Sequence, residues 1–150
     1  MKIVYSYYVL DLIHKGHLLM MKNSKAMAGE DGKLIVGILT TEAVLEKKAQ
    51  PPVLSFDERI DIAKSIKYVD AAIPQATYSP IPNIKNIKPD ILMESDSHKA
   101  KEIEEARKVM ESFGGRVVVM PYYPSQCSTN IKKKIKNEVR EDQDVKISQF

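Results

Sequence analysis

The chain has 150 residues, of which 43% are hydrophobic and 29% are charged, a balance typical of one globular domain. Its net charge of +3 is too small to indicate binding to nucleic acid or to an acidic membrane surface. No apolar run approaches the ~20 residues that span a bilayer, and the N-terminus lacks a basic and apolar leader. The single cysteine, Cys127, cannot form an internal disulfide, so we expect a cytoplasmic protein.

The first half of the chain alternates between strand and helix patterns. Lys2–Leu10 is predicted as a strand, and Leu18–Ala28 as a helix because its apolar residues recur at helical spacing. The near-continuous apolar run Leu34–Leu39 predicts a strand covered on both faces. A loop is predicted over Thr40–Leu54, and a capping-box pattern predicts a helix over Ser55–Lys67.

The second half repeats this alternation and ends in a polar tail, residues 141–150. Its basic cluster, Lys132–Lys134 with Lys136, is predicted as a solvated helix face. Strands joined by helices indicate right-handed βαβ units. We therefore expect an α/β fold, a Rossmann-like doubly wound sheet of about five parallel strands in a single domain, residues 1–140. The remaining predicted elements are strands at Val69–Ile73, Asp90–Met93 and Val117–Met120, and helices within Tyr78–Asn86, at Ala100–Phe113 and at Ser128–Arg140.

The most informative motif is His14-Lys15-Gly16-His17, between the first strand and the first helix. Histidines three apart on the first turn of a helix face the same way. The N-terminus of a helix offers unpaired N–H groups to anions, and Gly16 lets a ligand approach the backbone. Ligands of such sheets bind at the carboxyl ends of the strands. The motif therefore predicts a nucleotide phosphate site, with helix capping alone as the alternative.

This motif, Leu10–His17, and a second motif, Cys127–Ile131, together resemble the HxGH-type nucleotidyltransferase superfamily, specifically its cytidylyltransferase branch. The resemblance covers about residues 2–135 in the right order. Ile73–Asn83 with Lys88–Asp90 is similar to the cytidylyltransferase domain found with phosphoenolpyruvate mutases in phosphonate biosynthesis. Three intermediate segments also resemble the superfamily: Leu34–Glu42, Leu54–Arg59 and Ile66–Asp70.

The resemblance implies in-line attack of an acceptor phosphate or phosphonate oxygen on the α-phosphorus of a nucleoside triphosphate, with release of pyrophosphate. It favours CTP, with ATP as the alternative, and implies Mg²⁺ held mainly by phosphate and water oxygens, so no protein metal ligands are assigned. It also implies a homodimer. The catalytic residues implied are His14, His17, Lys48, Ser128 and Thr129. The nucleotide-binding residues implied are Tyr8, Val9, Asp11, Gly16, Arg59, Asp96, His98 and Ile131.

These residues have different expected roles. His14 and His17 would donate hydrogen bonds to the triphosphate and stabilise the transition state. Ser128 and Thr129 would offer hydroxyls and helix N–H groups to the β- and γ-phosphates, a role compatible with N-capping. Lys48 would bind phosphate, or it is a solvated loop lysine.

Other assignments leave alternatives open. Arg59 lies near the phosphates or the acceptor in the superfamily, or it forms a surface ion pair here. Asp11 would order the first loop through backbone hydrogen bonds. Asp96 and His98 would contact base, ribose or metal, or form a polar loop. Tyr8 would contact the nucleotide or only pack.

The chain departs from the superfamily at the nucleotide-base and acceptor side. Ser95–His98 stands where the superfamily has Gly-Asp-Asp-Trp, and Tyr123–Thr129 stands where a loop with arginine is common. Tyr7 or Tyr8 replaces a usual glycine. Two rivals therefore remain. One is an adenylyltransferase of the pantetheine-phosphate, nicotinamide-mononucleotide, FAD-synthase or lipopolysaccharide heptose-phosphate kind, and the other is a non-catalytic nucleotide-binding regulator.

Overall fold

The computed structural model describes residues 1–121 and 131–137. Strands and helices alternate along this part of the chain except between the second and third strands, where two helices follow one another. Residues 131–137 form a further helical stretch. The strands are β1 (Ile3–Tyr8), β2 (Lys33–Leu39), β3 (Ala71–Gln75), β4 (Ile91–Ser95) and β5 (Arg116–Met120). The helices are α1 (Lys15–Ala28), α2 (Thr41–Leu45), α3 (Phe56–Lys64), α4 (Ile81–Ile87) and α5 (Ala100–Ser112).

The five strands form one parallel sheet in the order β3-β2-β1-β4-β5. The chain builds outward from β1 to β3, then crosses to β4 and continues to β5 on the other side. The order of the strands therefore reverses between β1 and β4, and the carboxyl ends of these two strands border the crevice where such sheets bind ligands. The predicted fold class is confirmed.

Two hydrophobic clusters cover the two faces of the sheet. Helices α1 and α3 bury Met21, Ala28, Ile60 and Ala63 against one face. Helices α4 and α5 bury Ile84, Ala106 and Met110 against the other. Because adjacent residues of a strand point to opposite faces, the side chains at the end of β1 alternate between these two layers.

Several element boundaries differ from the prediction. Strand β1 ends at Tyr8 because Leu10 has a φ of +58°, which turns the chain out of the sheet. Helix α1 begins three residues earlier than predicted, with His14 as its N-cap. The predicted loop contains α2, whose N-cap Thr40 accepts a hydrogen bond from the Ala43 N–H at 3.1 Å. Strand β3 runs through Pro74, which an edge strand tolerates.

In the described part of the chain, no helix is long and apolar enough to cross a membrane. The predicted last helix, Ser128–Arg140, lies partly outside the described residues, and so does the predicted tail, 141–150.

Candidate nucleotide site

A cleft of about 770 Å³ opens at the carboxyl ends of β1, β4 and β5. Its volume lies in the range of pockets that hold small ligands and cofactors. The cleft brings together most of the predicted site residues, from the end of β1, the start of α1 and the loops that follow α2 and β4. The predicted residues that line it are Tyr8, Val9, Asp11, His14, Gly16, His17, Lys48 and His98.

His14 and His17 form a reciprocal cap at the start of α1. The backbone N–H of Gly16 donates to His14 Nδ1 at 3.0 Å, and the backbone N–H of His14 donates to His17 Nδ1 at 3.2 Å. The two ring centroids are 4.0 Å apart. In a neutral imidazole that accepts at Nδ1, the proton lies on Nε2. The cap therefore leaves each histidine with one N–H donor for a ligand, so capping and phosphate binding are compatible.

The environment also keeps both rings neutral near pH 7. Burial lowers the pKa of His17 to about 4, with a further contribution from His14, and burial lowers the pKa of His14 as well. The Tyr8 ring covers His17 edge-on with centroids 6.0 Å apart. These neutral rings each keep an Nε2–H at the N-terminus of a helix, where the backbone already favours an anion.

This titration makes the stability of the fold depend on pH. The pKa of His17 is lower in the folded chain, about 4, than its ordinary value of 6.5. The stabilisation that the fold gains from a neutral His17 is therefore fully present above pH 6.5 and is lost as the pH falls through about 4. We expect a loss of at most about 3 kcal/mol from this group. Urea unfolding at several pH values in this window measures it.

The matched control is His17→Gln, because glutamine at the third helical position also reaches back to the N-cap N–H and does not titrate. The difference in unfolding free energy between this variant and the wild type should change with pH between 4 and 6.5. A constant difference across that window would contradict the lowered pKa.

Asp11 joins three segments around the cleft. Its carboxylate is 2% exposed and accepts hydrogen bonds from the Val53 and Leu54 N–H groups, each at 2.9 Å. It also pairs with Lys132 of the helical stretch 131–137. Burial alone would raise the pKa of Asp11, but these hydrogen bonds and Lys132 outweigh burial and lower it. Asp11 accepts backbone hydrogen bonds as predicted, although from a later loop. Lys133, Lys134 and Lys136 of the predicted solvated face are exposed, whereas Lys132 is half-buried in this ion pair.

Replacing Asp11 with asparagine should weaken this junction. The variant keeps the size of the side chain but loses the charge that pairs with Lys132 and one of its two backbone acceptors, so we expect a loss of about 2 kcal/mol. A double-mutant cycle with Lys132→Met, followed by urea unfolding, measures the coupling between the two side chains. Fully additive losses would show that the pair contributes nothing to stability.

Arg59 does not line the cleft and lies beneath it. The side chain is fully buried, which rules out the surface ion pair considered for it. Its guanidinium donates to the carbonyl oxygens of Val9 at 2.8 Å, Leu39 at 2.6 Å and Leu54 at 3.2 Å. Its Nη2 atom is also buried and has no hydrogen-bond partner among the residues that the structure describes. These contacts hold the loops beneath the cleft, and the predicted nucleotide contact stays a prediction.

Other predicted residues are more peripheral or lie elsewhere. Lys48 is exposed at the cleft wall. Asp96 is exposed outside the lining, and its N–H donates to the Met120 carbonyl at 3.1 Å. Ile131 is half-buried at the start of the stretch 131–137. Ser128 and Thr129 lie outside the described residues, so their roles stay predictions.

Two functional candidates were missed by sequence reasoning, Tyr7 and Glu94. The Glu94 carboxylate is 2% exposed at the end of β4 and accepts hydrogen bonds from the Tyr7 hydroxyl at 2.9 and 3.0 Å. His98 Nδ1 lies 2.6 Å from the same carboxylate, and its ring stacks on Tyr7. The hydrogen bond to Glu94 raises the pKa of His98. A glutamate in an apolar strand, four residues before a histidine, was the available signal.

Among residues 1–121 and 131–137, no group of three or more histidine, cysteine or acidic side chains could hold a metal ion. The one acidic side chain among the predicted residues lining the cleft, Asp11, is already engaged by two N–H groups and Lys132. This arrangement offers Mg²⁺ no cage of protein ligands, and the predicted requirement for Mg²⁺ stays a prediction.

Comparisons with known proteins agree with this geometry. The family described as cytidylyltransferase-like matches residues 9–139. A FAD synthase from Korarchaeum cryptofilum is 27% identical over 126 residues, which cover 83% of this chain and 85% of that protein. The bifunctional protein HldE from Desulfatibacillum aliphaticivorans is 28% identical over 137 residues, which cover 91% of this chain but 27% of that longer protein.

A solved structure shares the fold. The lipopolysaccharide core biosynthesis protein from Thermoplasma volcanium superposes with a TM-score of 0.67 and 23% identity, covering 84% of this chain and 99% of that one. At this level of identity the likeness concerns the arrangement of strands and helices only.

Proposed function

The chain belongs to the cytidylyltransferase-like family of nucleotidyltransferases, and we propose that it transfers the adenylyl group of ATP to a phosphate-ester acceptor. An oxygen of the acceptor phosphate attacks the α-phosphorus of ATP. The bond between that phosphorus and the bridging oxygen of pyrophosphate breaks, and pyrophosphate leaves with the electron pair. No covalent enzyme intermediate is needed, so the protein contributes positioning and charge stabilisation.

The observation that carries this proposal is the pair of neutral imidazoles at the start of α1. Their Nδ1 atoms are taken by backbone N–H groups, which leaves two Nε2–H donors beside the N-terminus of a helix. Such donors stabilise the negative charge that develops on the phosphates during transfer. The cap already holds both rings in position, so they need not reorganise during the reaction. Mg²⁺ would enter with ATP, held mainly by phosphate and water oxygens, and would neutralise part of that charge.

The choice of ATP is supported by the relatives. The sequence alone favours CTP and a phosphonate, but a relative that aligns over most of both chains is named FAD synthase. Making FAD from a flavin mononucleotide requires an adenylyl group, so that name favours ATP.

The test is pyrophosphate release by the purified protein with Mg²⁺, crossing ATP and CTP with five acceptors. These are FMN, a heptose 1-phosphate, glycerol 3-phosphate, 2-aminoethylphosphonate and 2-hydroxyethylphosphonate. Turnover with ATP and a phosphate ester supports the proposal and identifies the acceptor class. Turnover only with CTP overturns the choice of nucleotide in favour of a cytidylyltransferase. Tight nucleotide binding without turnover on any acceptor favours the regulator.

We also propose that the protein acts as a cytoplasmic homodimer, as its resemblance to the superfamily implies. Light scattering after gel filtration measures this directly. A mass near twice the 17.0 kDa of one chain would support the dimer, and a mass near 17.0 kDa at micromolar concentration would contradict it.

A further inference from the structure

The two tyrosines at the end of β1 point to opposite faces of the sheet and contact different histidines. Tyr8 packs with the cluster beneath α1, where its ring meets His17. Tyr7 packs with the opposite cluster, and its ring stacks on His98 with centroids 5.4 Å apart. The end of β1 therefore has a histidine group on each side, and both groups border the same cleft.

His98 is held differently from His14 and His17. Its Nδ1 lies 2.6 Å from a carboxylate oxygen of Glu94 and 3.1 Å from the Tyr7 hydroxyl. This leaves Nε2 as the nitrogen available to a ligand. The His98 side chain is 25% exposed in the cleft, whereas Glu94 beneath it is 2% exposed. A buried carboxylate that accepts from both neighbours fixes the orientation of the ring and favours its charged form.

The charged groups around His98 are mostly acidic. Glu94 lies on β4, and Glu102 on α5 also raises the pKa of His98. Tyr7 faces the ring from β1, and burial next to Glu94 keeps its hydroxyl protonated. Lys47, in the loop after α2, pairs with Glu102 at 3.7 Å, and Lys99, the next residue after His98, is exposed. The surroundings therefore stabilise an imidazolium on this side of the cleft.

We propose that Tyr7, Glu94 and His98 form the subsite for the acceptor phosphate, in which His98 donates its Nε2–H to a phosphate oxygen while Glu94 and Tyr7 position the ring. This inference rests on the proposed nucleotidyl transfer. In-line displacement places the attacking oxygen opposite the leaving pyrophosphate. His14 and His17 serve the triphosphate from one side of β1, so the acceptor enters from the other. An imidazolium that is oriented by a buried carboxylate can donate a charge-assisted hydrogen bond to an anion such as phosphate. The uncharged base of a nucleotide would gain little from that positive charge.

Nitrogen NMR of the histidine rings tests the proposal directly, because the chain contains three histidines. The protein is first saturated with α,β-methylene ATP, and inorganic phosphate is then titrated as the probe of the acceptor head group. We expect the nucleotide to shift the His14 and His17 signals and phosphate to shift His98. Phosphate that leaves His98 unchanged overturns the proposal, and so does a nucleotide that shifts His98 by itself.

The same experiment separates this inference from the proposed function. A nucleotide that shifts neither His14 nor His17 contradicts nucleotidyl transfer, whereas the phosphate titration judges the His98 subsite independently. In Glu94→Gln, the pKa of His98 should fall towards 6.5, its ordinary value. An unchanged pKa would show that Glu94 does not control the ring.

Kinetics with the active acceptor give a second test. We expect His98→Gln and Glu94→Gln to raise the KM of the acceptor by about 10-fold or more, as for loss of a charge-assisted hydrogen bond. The KM of ATP should stay nearly unchanged. Lys108→Gln on the exposed face of α5 is the control for loss of one positive charge. An equal increase in both KM values would overturn the assignment to the acceptor.

Discussion

Replacing His17 with glutamine is expected to lower kcat by about 10²–10³-fold, the usual cost of removing a donor that stabilises developing charge. Glutamine at this position preserves the helix cap, because its side chain can reach the same N-cap N–H that His17 Nδ1 accepts at 3.2 Å. The imidazole Nε2–H is lost, but the backbone cap is retained. Single-turnover pyrophosphate release with saturating ATP and acceptor measures the change.

Two comparisons make this result specific to the imidazole. Lys22→Ala changes an exposed residue of the same helix and should leave kcat unchanged. Thermal unfolding above pH 6.5 should show that His17→Gln is folded, so that a lost rate cannot be a lost structure. A variant that keeps more than about a tenth of the wild-type kcat would remove His17 from the catalytic group.

The fold was predictable because its strands are unusually apolar and its helices are punctuated by clear signals. The run Leu34–Leu39 is buried on both faces, as a central parallel strand must be, and it became β2. A strand followed by His14–His17 and a helix correctly predicts where the cleft lies. Local sequence patterns were sufficient for these features because each pattern depends on residues within one strand or helix, or at its end.

Features that depend on contacts between distant segments were not predictable. Helix α2 is only five residues long, too short for helical periodicity to distinguish it, and its one local signal was the N-cap Thr40. Pro74 was expected to end β3, but β3 lies at the sheet edge, where the missing N–H is tolerated. The pairing of Glu94 with Tyr7 spans 87 residues and follows only from the adjacency of β1 and β4.

Arg59 is the clearest example of such a long-range contact, because a charged residue in an ordinary helix start gave no sign of complete burial. Its guanidinium connects the carbonyl after β1, the carbonyl at the end of β2 and the carbonyl before the cap of α3. Those three segments carry the walls of the cleft. The Arg59 side chain itself lies behind the cleft wall, since Val9 lines the cleft while Arg59 does not.

We expect Arg59→Met to lower the free energy of unfolding by about 3–5 kcal/mol, because it leaves three carbonyl oxygens without their donor in a buried position. Lysine keeps the charge but lacks the planar fork that reaches separate carbonyls, so Arg59→Lys should recover only part of this loss. Lys64→Met, at an exposed position on the same helix, is the matched control and should cost less than about 0.5 kcal/mol.

Urea unfolding of the three variants measures these differences, and pyrophosphate release by the folded fraction shows whether the cleft is also disturbed. If the loops depend on Arg59 as its contacts imply, the KM of ATP in Arg59→Lys should rise even where the protein is fully folded. A loss of stability below about 1 kcal/mol in Arg59→Met would mean that the carbonyls find water instead, as solvated groups do. The buried guanidinium would then be replaceable, and the shape of the cleft would have to be maintained by Asp11 and its contacts to the same loop.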